Sequence, residues 1–233
     1  MEQRPVHKFD EGVVFLIDKP LTWTSFDVVR KIRNLVRTRK VGHAGTLDPL
    51  ATGLLIVCTG RFTKRITEFM AQEKEYTGTF TLGATTPTYD LESEPVFTGD
   101  PSGISAEQLI QAAETFTGAI KQVPPAHSAI KKDGERAYAL ARRGEQIMLE
   151  PRNIVISSFE ILSVAMPVVT FRVRCSTGTY IRSLAHDYGA LLGCGAYLSS
   201  LCRTRIGTYC LDESMSMEQA QAQIRAYWEN QNG

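Results

Sequence analysis

The chain has 233 residues, of which 43% are hydrophobic, so it can form one large domain or two small ones around an ordinary core. Its 26 Lys and Arg residues nearly balance its 25 Asp and Glu residues, and a net charge of +1 does not by itself indicate a nucleic-acid-binding protein. The five cysteines form no C-x-x-C pattern, which argues against a zinc site and a disulfide framework. The N-terminus is charged, and no apolar run is long enough to span a membrane. We therefore expect a reduced, cytoplasmic chain.

The sequence predicts helices and strands in an irregular order. In chain order we expect a buried strand at 12–17, an amphipathic helix capped by Thr24 or Ser25, a buried strand at 54–58, an alternating strand at 75–84, a helix at 105–116, a short helix at 136–143, a strand pair at 154–166 and 168–175, and helices at 180–192 and 216–228. Because a regular βαβ alternation is missing, this order favours an α+β fold over a doubly wound parallel sheet. The sequence shows no internal repeat, low-complexity stretch or long linker, so we expect a single domain over residues 1–233.

The charges are unevenly distributed along the chain. No acidic residue occurs between Val28 and Leu47, whereas this interval contains six cations: Arg30, Lys31, Arg33, Arg37, Arg39 and Lys40. A second basic cluster comprises Lys121, Lys131, Lys132, Arg136, Arg142 and Arg143. Segregated charge can build a positive face on a neutral protein, although solvated helix cations give the same pattern.

A glycine-rich segment from Gly42 to Gly53 contains one carboxylate, Asp48, followed directly by Pro49. Glycine allows close backbone approach and proline fixes the chain after the acid, so we expect a rigid, exposed loop that presents Asp48. A single Asp beside positive charge suits nucleophilic or acid–base chemistry on an anionic polymer. On local spacing alone, an ordinary turn is the better explanation of the segment.

Four blocks together show a resemblance to a known family. They are Lys19-Pro20 with Thr24-Ser25, the Asp48 segment, Lys74-Glu75-Tyr76, and the stretch from Ser176 to Arg182. With Pro124-Pro125 and Gly195-Ala196-Tyr197-Leu198 in order, the chain resembles the bacterial TruB type of tRNA pseudouridine synthase from about Val13 to Ile224.

The resemblance implies a fold and a reaction. The implied fold is the pseudouridine synthase catalytic fold, a mixed, mostly antiparallel sheet flanked by helices with a central RNA-binding cleft. The implied reaction breaks the N1–C1′ bond of the T-loop uridine at tRNA position 55, turns the uracil and rejoins it through C5. No cofactor and no metal are implied. The expected partner is the T-arm stem-loop of tRNA, with no membrane, no obligate protein partner and a monomeric enzyme.

The resemblance also implies roles for three catalytic residues. Asp48 is the nucleophile, which attacks C1′ or C6 of the uracil, or assists removal of the 2′-hydrogen. Arg182 pairs with Asp48 and orients its carboxylate. Tyr76 lies in the uracil pocket, where its ring stacks on the base and its phenol can take part in proton transfer at C5.

The remaining implied site residues bind the RNA. The target uridine must be extruded from its loop, and His43 and Tyr180 line the site while Leu201 forms part of its apolar wall. Candidate RNA contacts, which position the molecule through its phosphates without reading its sequence, are Lys19, Lys64, Arg30, Lys31 and Arg33. The segment at about 122–152 is similar to the family's RNA-gripping insertion.

Three features depart from the family's pattern. Thr22 occupies a place where the family usually has glycine, so we expect no left-handed backbone there. Cys202 and Arg203 replace a pair of arginines, which predicts the loss of one phosphate or structural contact. The chain ends at Gly233, too early for the C-terminal PUA module of many relatives, and we expect weaker, more salt-sensitive RNA binding.

Two alternatives stay open at this point. One is an RNA-binding protein that helps tRNA to fold, and the other is a pseudouridine synthase that acts on a different RNA.

Overall fold

The hydrophobic pattern forms helices and strands close to the predicted places. A computed structural model describes residues 6–128, 130–132, 134–143, 145 and 149–232. Its helices are α1 (Lys8–Glu11), α2 (Ser25–Val36), α3 (Ile66–Ala71), α4 (Ala106–Thr115), α5 (Ala137–Arg142), α6 (Ile181–Leu191) and α7 (Met217–Asn232), with 3-10 helices at Gly60–Arg65 and Leu211–Glu213. Within the described residues no helix has both the length and the hydropathy that a membrane span needs.

The strands include every one that the sequence predicted and several that it did not. They are β1 (Val14–Lys19), β2 (Val41–His43), β3 (Ala51–Thr59), β4 (Lys74–Leu82), β5 (Ala84–Thr85), β6 (Val96–Phe97), β7 (Gly118–Gln122), β8 (Lys131–Lys132), β9 (Glu135–Arg136), β10 (Arg152–Ala165), β11 (Val168–Cys175), β12 (Ala196–Ile206) and β13 (Tyr209–Cys210). The 11-residue strand β12 was not predicted.

Contacts between residues divide the chain into two compact units. The first unit comprises Met1–Tyr76 and Cys202–Gly233, and the second comprises Thr77–Leu201. Strands β4 and β12 each contribute residues to both units. The single domain over residues 1–233 stays a prediction.

In the first unit, strand β3 is buried on both faces. It pairs antiparallel with β1, from Val14 opposite Cys58 to Lys19 opposite Gly53, and it also pairs with β2. Leu55 and Val57 pack against α2 and α7 in a cluster with Phe9, Phe15, Ile17, Val28, Val29, Ile32, Val36, Val41, Met217, Ala220 and Ile224. On the other face Leu54, Ile56 and Cys58 pack with Ala44, Phe69 and Ile206. Burial on both faces explains the continuous apolar run in this strand.

Helix α2 begins where its sequence predicts. The Thr24 hydroxyl accepts a hydrogen bond from the Asp27 N–H at 3.0 Å, and the Asp27 carboxylate accepts one from the Thr24 N–H at 3.0 Å. This reciprocal capping box satisfies two backbone donors at the helix start. Its apolar stripe packs on the core, and three of the six cations, Arg30, Lys31 and Arg33, lie on its other side.

In the second unit, the strands follow the order β4-β11-β10-β7. Strand β10 is antiparallel to both β11 and β7. An aromatic core fills one side of this sheet: Phe80 stacks on Phe171 with ring centroids 4.1 Å apart, and Phe159 and Tyr188 pack around them. The buried Tyr188 hydroxyl donates to the Leu109 carbonyl at 2.9 Å and so ties α6 to α4. The α+β class predicted from the sequence is confirmed.

The predicted RNA-gripping insertion at 122–152 falls partly outside the described residues, which omit positions 129, 133, 144 and 146–148. Its described part contains the short hairpin β8–β9, in which residues 131 and 132 pair with 136 and 135, and helix α5. The short helix predicted at 136–143 is therefore confirmed.

Candidate active site

Asp48 lies on a short loop between β2 and β3. The loop begins after His43 and ends at Ala51, whose N–H donates to the Asp48 carbonyl at 3.0 Å. Gly53 follows with a φ of +96°, and a Cβ atom there would lie 2.4 Å from the Arg203 carbonyl oxygen. Only glycine therefore fits at this close approach of two strands.

The buried Ser25 fixes the residue before Asp48. Its hydroxyl accepts a hydrogen bond from the Leu47 N–H at 2.8 Å and donates to the Leu47 carbonyl at 3.1 Å. Ser25 is the first residue of α2, so the start of this helix and the Asp48 loop are held together.

Arg203 holds the same loop from inside the protein. It is only 1% exposed, its Nε donates to the Leu54 carbonyl at 2.8 Å, and its Nη2 donates to the Gly45 carbonyl at 3.1 Å. The arginine that remains at the position of the family's pair is therefore structural, because no RNA phosphate can reach a buried guanidinium.

Lys19 is the second buried cation beside this loop. Its side chain is fully buried, and its Nζ donates to the carbonyls of Trp23 at 2.5 Å, Pro20 at 3.1 Å and Pro49 at 3.4 Å. Burial lowers the Lys19 pKa to about 8, although the negative charge of Asp48 acts in the opposite direction. The prediction that Lys19 contacts RNA is not supported, because this ammonium has no exposed surface.

Thr22 departs from its predicted conformation. Its φ is +70°, in the left-handed region that β-branched residues rarely adopt. Its N–H donates to the carbonyl of Pro49 at 2.9 Å, and Pro49 is the residue directly after Asp48. The expectation that threonine would exclude a left-handed backbone here was wrong, because this hydrogen bond holds the strained residue in place.

His43 and Tyr76 also belong to the first unit. Burial, followed by the positive charge of Arg203, lowers the His43 pKa below its usual value of 6.5, so the imidazole is neutral at physiological pH. Tyr76 lies on β4 and is 9% exposed. A neutral imidazole and a largely buried phenol are suited to contact an uncharged base.

Of the four other predicted RNA contacts, three are exposed. Arg30, Lys31 and Lys64 reach solvent, and the Arg30 Nη2 pairs with the Asp27 carboxylate at 2.7 Å. Arg33 is half-buried, and its Nη2 donates to the Val41 carbonyl at 3.3 Å. Arg33 therefore helps to join α2 to β2 as well as carrying charge.

In the second unit, Arg182 is almost fully buried near the start of α6. It is 5% exposed, and its Nε lies 3.7 Å from Oδ2 of the buried Asp90. Its Nη1 donates to the Thr88 carbonyl at 3.3 Å and its Nη2 to the His127 carbonyl at 3.1 Å. These contacts fix the direction of the guanidinium, and no local sequence pattern indicates any of the three partners.

Tyr89, the residue before Asp90, has a strained backbone and a stacked ring. Tyr89 has a φ of +63°, and its ring stacks on His186 with centroids 4.1 Å apart. Its carbonyl accepts a hydrogen bond from the Leu198 N–H at 2.9 Å. The stacked ring and the strand contact stabilise a backbone conformation that is unfavourable for tyrosine.

Gln122 is a supporting residue that the sequence reasoning missed. Its buried side-chain amide accepts from the Tyr180 N–H at 2.8 Å and donates to the Tyr180 carbonyl at 3.0 Å. Tyr180 is the residue that precedes α6, so Gln122 fixes the backbone just before Arg182. Leu201 lies on β12 and is half-buried.

The first unit thus carries Asp48, His43 and Tyr76, and the second carries Arg182, Tyr180 and Leu201. The first unit holds its carboxylate on a loop fixed by Ser25, Arg203, Lys19 and Thr22. Such a loop is suited to nucleophilic chemistry, because a preorganised group needs little rearrangement to react. Among the described residues, no group of three or more His, Cys, Asp or Glu is placed to hold a metal ion.

Models of known protein families match most of the chain. The model of the TruB family pseudouridylate synthase N-terminal domain matches residues 33–181, and that of the tRNA pseudouridylate synthase B C-terminal domain matches residues 182–232. The chain belongs to the TruB family. The resemblance inferred from the four sequence blocks is confirmed.

Curated TruB-family relatives match over most of their length. The tRNA pseudouridine synthase B of Flavobacterium johnsoniae is 53% identical over 206 residues, covering 85% of this chain and 90% of that protein. The protein of the same name from Parabacteroides distasonis is 52% identical over 217 residues, covering 91% of this chain and 92% of that protein. The protein of the same name from Chlorobaculum tepidum is 47% identical over 214 residues, covering 90% of this chain and 89% of that protein.

Solved structures with the same fold include Cbf5 in a Cbf5-Nop10-Gar1 complex, with a TM-score of 0.75 and 30% identity over 97% of this chain. An H/ACA RNP bound to a substrate RNA containing 2′-deoxyuridine matches with a TM-score of 0.72 and 28% identity over 99% of this chain. The TruB-family chain spans 57% and 58% of those two chains. The predicted pseudouridine synthase fold is confirmed.

Proposed function

We propose that this chain converts the T-loop uridine at position 55 of tRNA into pseudouridine. The observation that carries the proposal is the rigidly held Asp48 loop in a chain whose relatives are tRNA pseudouridine synthases. In the reaction the N1–C1′ bond breaks and a C5–C1′ bond forms, while C5 loses its hydrogen to water as a proton and N1 gains a proton from water.

Asp48 acts as the nucleophile in this proposal, on C1′ or on C6, or assists removal of the 2′-hydrogen. Arg182 pairs with it during the reaction, and Tyr76 stacks on the uracil. His43 and Tyr180 line the pocket that receives the extruded base, and Leu201 forms part of its apolar wall. The fixed guanidinium of Arg182 and the neutral imidazole of His43 support these roles.

The exposed cations Arg30, Lys31 and Lys64 contact phosphates of the T-arm. We propose that the enzyme acts in the cytoplasm as a monomer with no protein partner and no cofactor. The related Cbf5 structure is a complex with Nop10 and Gar1, so gel filtration with and without tRNA tests the monomer directly.

The test of catalysis uses a tRNA transcript tritiated at uracil C5. Wild-type protein should release tritium to water, and Asp48→Asn should release none while binding tRNA with similar affinity. Asp212→Asn, the same chemical change on the exposed 3-10 helix Leu211–Glu213, is the control and should release tritium at the wild-type rate.

Release by wild type at a different uridine, found by mapping the product, would identify another RNA position as the target. Binding without release by wild-type protein would overturn the proposal and leave an RNA-binding protein that helps tRNA to fold.

A further inference from the structure

A basic surface lies beyond the C-terminal end of α2, and none of its cations is among the site residues proposed above. A groove of about 620 Å³ forms here between the chain after α2, the end of α1 and the start of the 3-10 helix Gly60–Arg65. Four cations line it, Arg37, Arg39, Lys40 and Arg61, and we call it the basic groove.

The charge of the basic groove is largely uncompensated. Arg39, Lys40 and Arg61 are exposed and make no salt bridge within the part of the chain that the structure describes. Among the described residues that line the groove, one carboxylate, Asp10, lies 3.2 Å from the His7 imidazole. Three exposed cations without an acidic partner among the described residues form a local attraction for a polyanion, even on a protein of net charge +1.

Stabilisation of helices does not account for these cations. Positive side chains favour a helix C-terminus only within its last turn, and Arg39 and Lys40 lie beyond the end of α2 at Val36. Arg61 is the second residue of a 3-10 helix, at the end where positive charge is unfavourable. The four cations come from two separate segments that meet only in the folded protein.

The walls of the basic groove are fixed by backbone contacts. The Gly60 N–H donates to the Lys40 carbonyl at 2.8 Å, which joins the two cationic segments. Gly60 has a φ of +53°, and a Cβ there would lie 2.2 Å from the Asp10 carbonyl oxygen, so only glycine allows this approach. The Arg37 guanidinium lies 4.9 Å from the Trp228 ring centroid. Such a groove needs little ordering on binding.

We propose that the basic groove binds the phosphodiester backbone of the RNA substrate. The inference rests on the proposed function for the identity of the RNA, and it adds a contact that none of the assigned site residues makes. Lys40 directly precedes β2, and this three-residue strand of about 10 Å leads into the Asp48 loop. Phosphates bound in the groove therefore help to hold the RNA near the loop without reading its sequence.

The test removes the three unpaired cations as Arg39→Gln, Lys40→Gln and Arg61→Gln, singly and together. Affinity for full-length tRNA transcript is measured across a series of KCl concentrations, with KM and kcat from tritium release. Each single change should lower the slope of log Kd against log salt by about 0.7–0.9, and the triple change by about 2–3. At moderate salt the triple variant should raise KM about 10-fold or more and leave kcat at saturating tRNA unchanged.

Two control variants separate charge at this place from charge in general. Arg225→Gln removes an exposed arginine of α7 outside the groove and should leave the salt slope and KM at wild-type values. Lys40→Arg keeps the charge and should also keep the slope. Thermal unfolding of each variant checks that the fold is intact, which we expect because the changed side chains are exposed.

Wild-type catalysis together with an unchanged salt slope and KM in the triple variant would overturn the groove proposal and leave the proposed function standing. A loss of kcat at saturating tRNA would also overturn it, because a backbone contact positions RNA before the chemical step. Absence of tritium release by the wild type would instead count against the proposed function.

Discussion

At the scale of single residues, the Asp48 loop depends on polar side chains that are buried. Ser25, Lys19 and Arg203 together donate to the carbonyls of Leu47, Pro49 and Gly45, and each is almost inaccessible to solvent. Such side chains are costly to bury, so their hydrogen bonds must be complete. The position of the carboxylate is therefore coupled to the stability of the first unit.

Arg203→Met should show this coupling. The change leaves the Leu54 and Gly45 carbonyls without their donor, so we expect a loss of about 2–4 kcal/mol in the free energy of unfolding. Because Gly45 lies at the start of the Asp48 loop, kcat should fall about 10- to 100-fold. Urea unfolding and single-turnover kinetics measure both, with Arg225→Met as the control. Unchanged kcat in a destabilised variant would contradict the positioning role.

Thr22→Gly should stabilise the protein. The left-handed backbone at φ +70° costs a β-branched residue about 1–2 kcal/mol, and glycine regains this at a smaller cost in the entropy of the unfolded chain. We expect a net gain of about 0.5–1 kcal/mol, measured as a rise in the urea midpoint. Thr63→Gly changes a residue of the 3-10 helix Gly60–Arg65 that has no positive φ and whose hydroxyl donates to the Gly60 carbonyl, so it should instead destabilise. A loss of stability in Thr22→Gly would show that the threonine side chain makes a contact that outweighs the strain.

His43 gives a pH dependence of defined sign. Its pKa is lowered in the folded protein, so the unfolded chain binds more protons as the pH falls through 6.5, and folding stability decreases on acidification. The His43 contribution is fully present above pH 6.5 and is lost below it, by at most about 1.4 kcal/mol per pH unit. His43→Gln should therefore lose less stability than wild type between pH 7 and pH 5. Urea unfolding at several pH values measures this difference. Equal losses of unfolding free energy in the two proteins would show that His43 does not cause the pH dependence.

At the scale of elements, helix starts were the most predictable feature. Thr24 caps α2 as predicted, and Ser105 caps α4 at the predicted start of that helix, because a capping box depends on only four consecutive residues. Strand β12 was missed because its buried positions include Arg203, so its sequence shows no apolar alternation. Its place beside β3 and β4 stabilises it as a strand, and that neighbourhood is set by distant parts of the chain.

The two capping boxes make a matched pair for a test. Thr24→Ala and Ser105→Ala should each lower the free energy of unfolding by about 1 kcal/mol, because each removes one cap hydrogen bond. Only Thr24→Ala should also lower kcat, since the next residue, Ser25, holds Leu47 beside Asp48. Unfolding curves and tritium release separate the two effects. Equal kcat in the two variants would show that the start of α2 does not influence the loop.

At the scale of the whole molecule, the sequence predicted the family and the residue types better than the surroundings of each residue. Asp48 was found because glycine and proline around it form a local pattern. Lys19 was misassigned because a lysine gives no sign in the sequence of whether it is exposed, and only the folded loop shows its three carbonyl acceptors. Arg182 was found by resemblance, whereas its contacts with Asp90 and His127 join residues more than fifty positions apart.

The basic groove shows why net charge was a weak guide to function. A protein of net charge +1 has little long-range attraction for RNA as a whole, so binding must depend on local clusters of cations. The sequence shows Arg37, Arg39 and Lys40 in an interval without acidic residues. It does not show that Arg61 lies beside them in the folded protein. Folding brings together charges that the linear sequence separates by about twenty residues.

The two tryptophans, Trp23 and Trp228, both belong to the first unit. Trp228 donates its indole N–H to the Leu35 carbonyl at 2.9 Å and lies beneath the Arg37 guanidinium, and the Trp23 carbonyl accepts from Lys19. Intrinsic tryptophan fluorescence therefore reports on the first unit alone, whereas far-ultraviolet circular dichroism reports on both. Coincident denaturation curves from the two signals would show that the units unfold as one cooperative structure, and separated curves would give each its own stability.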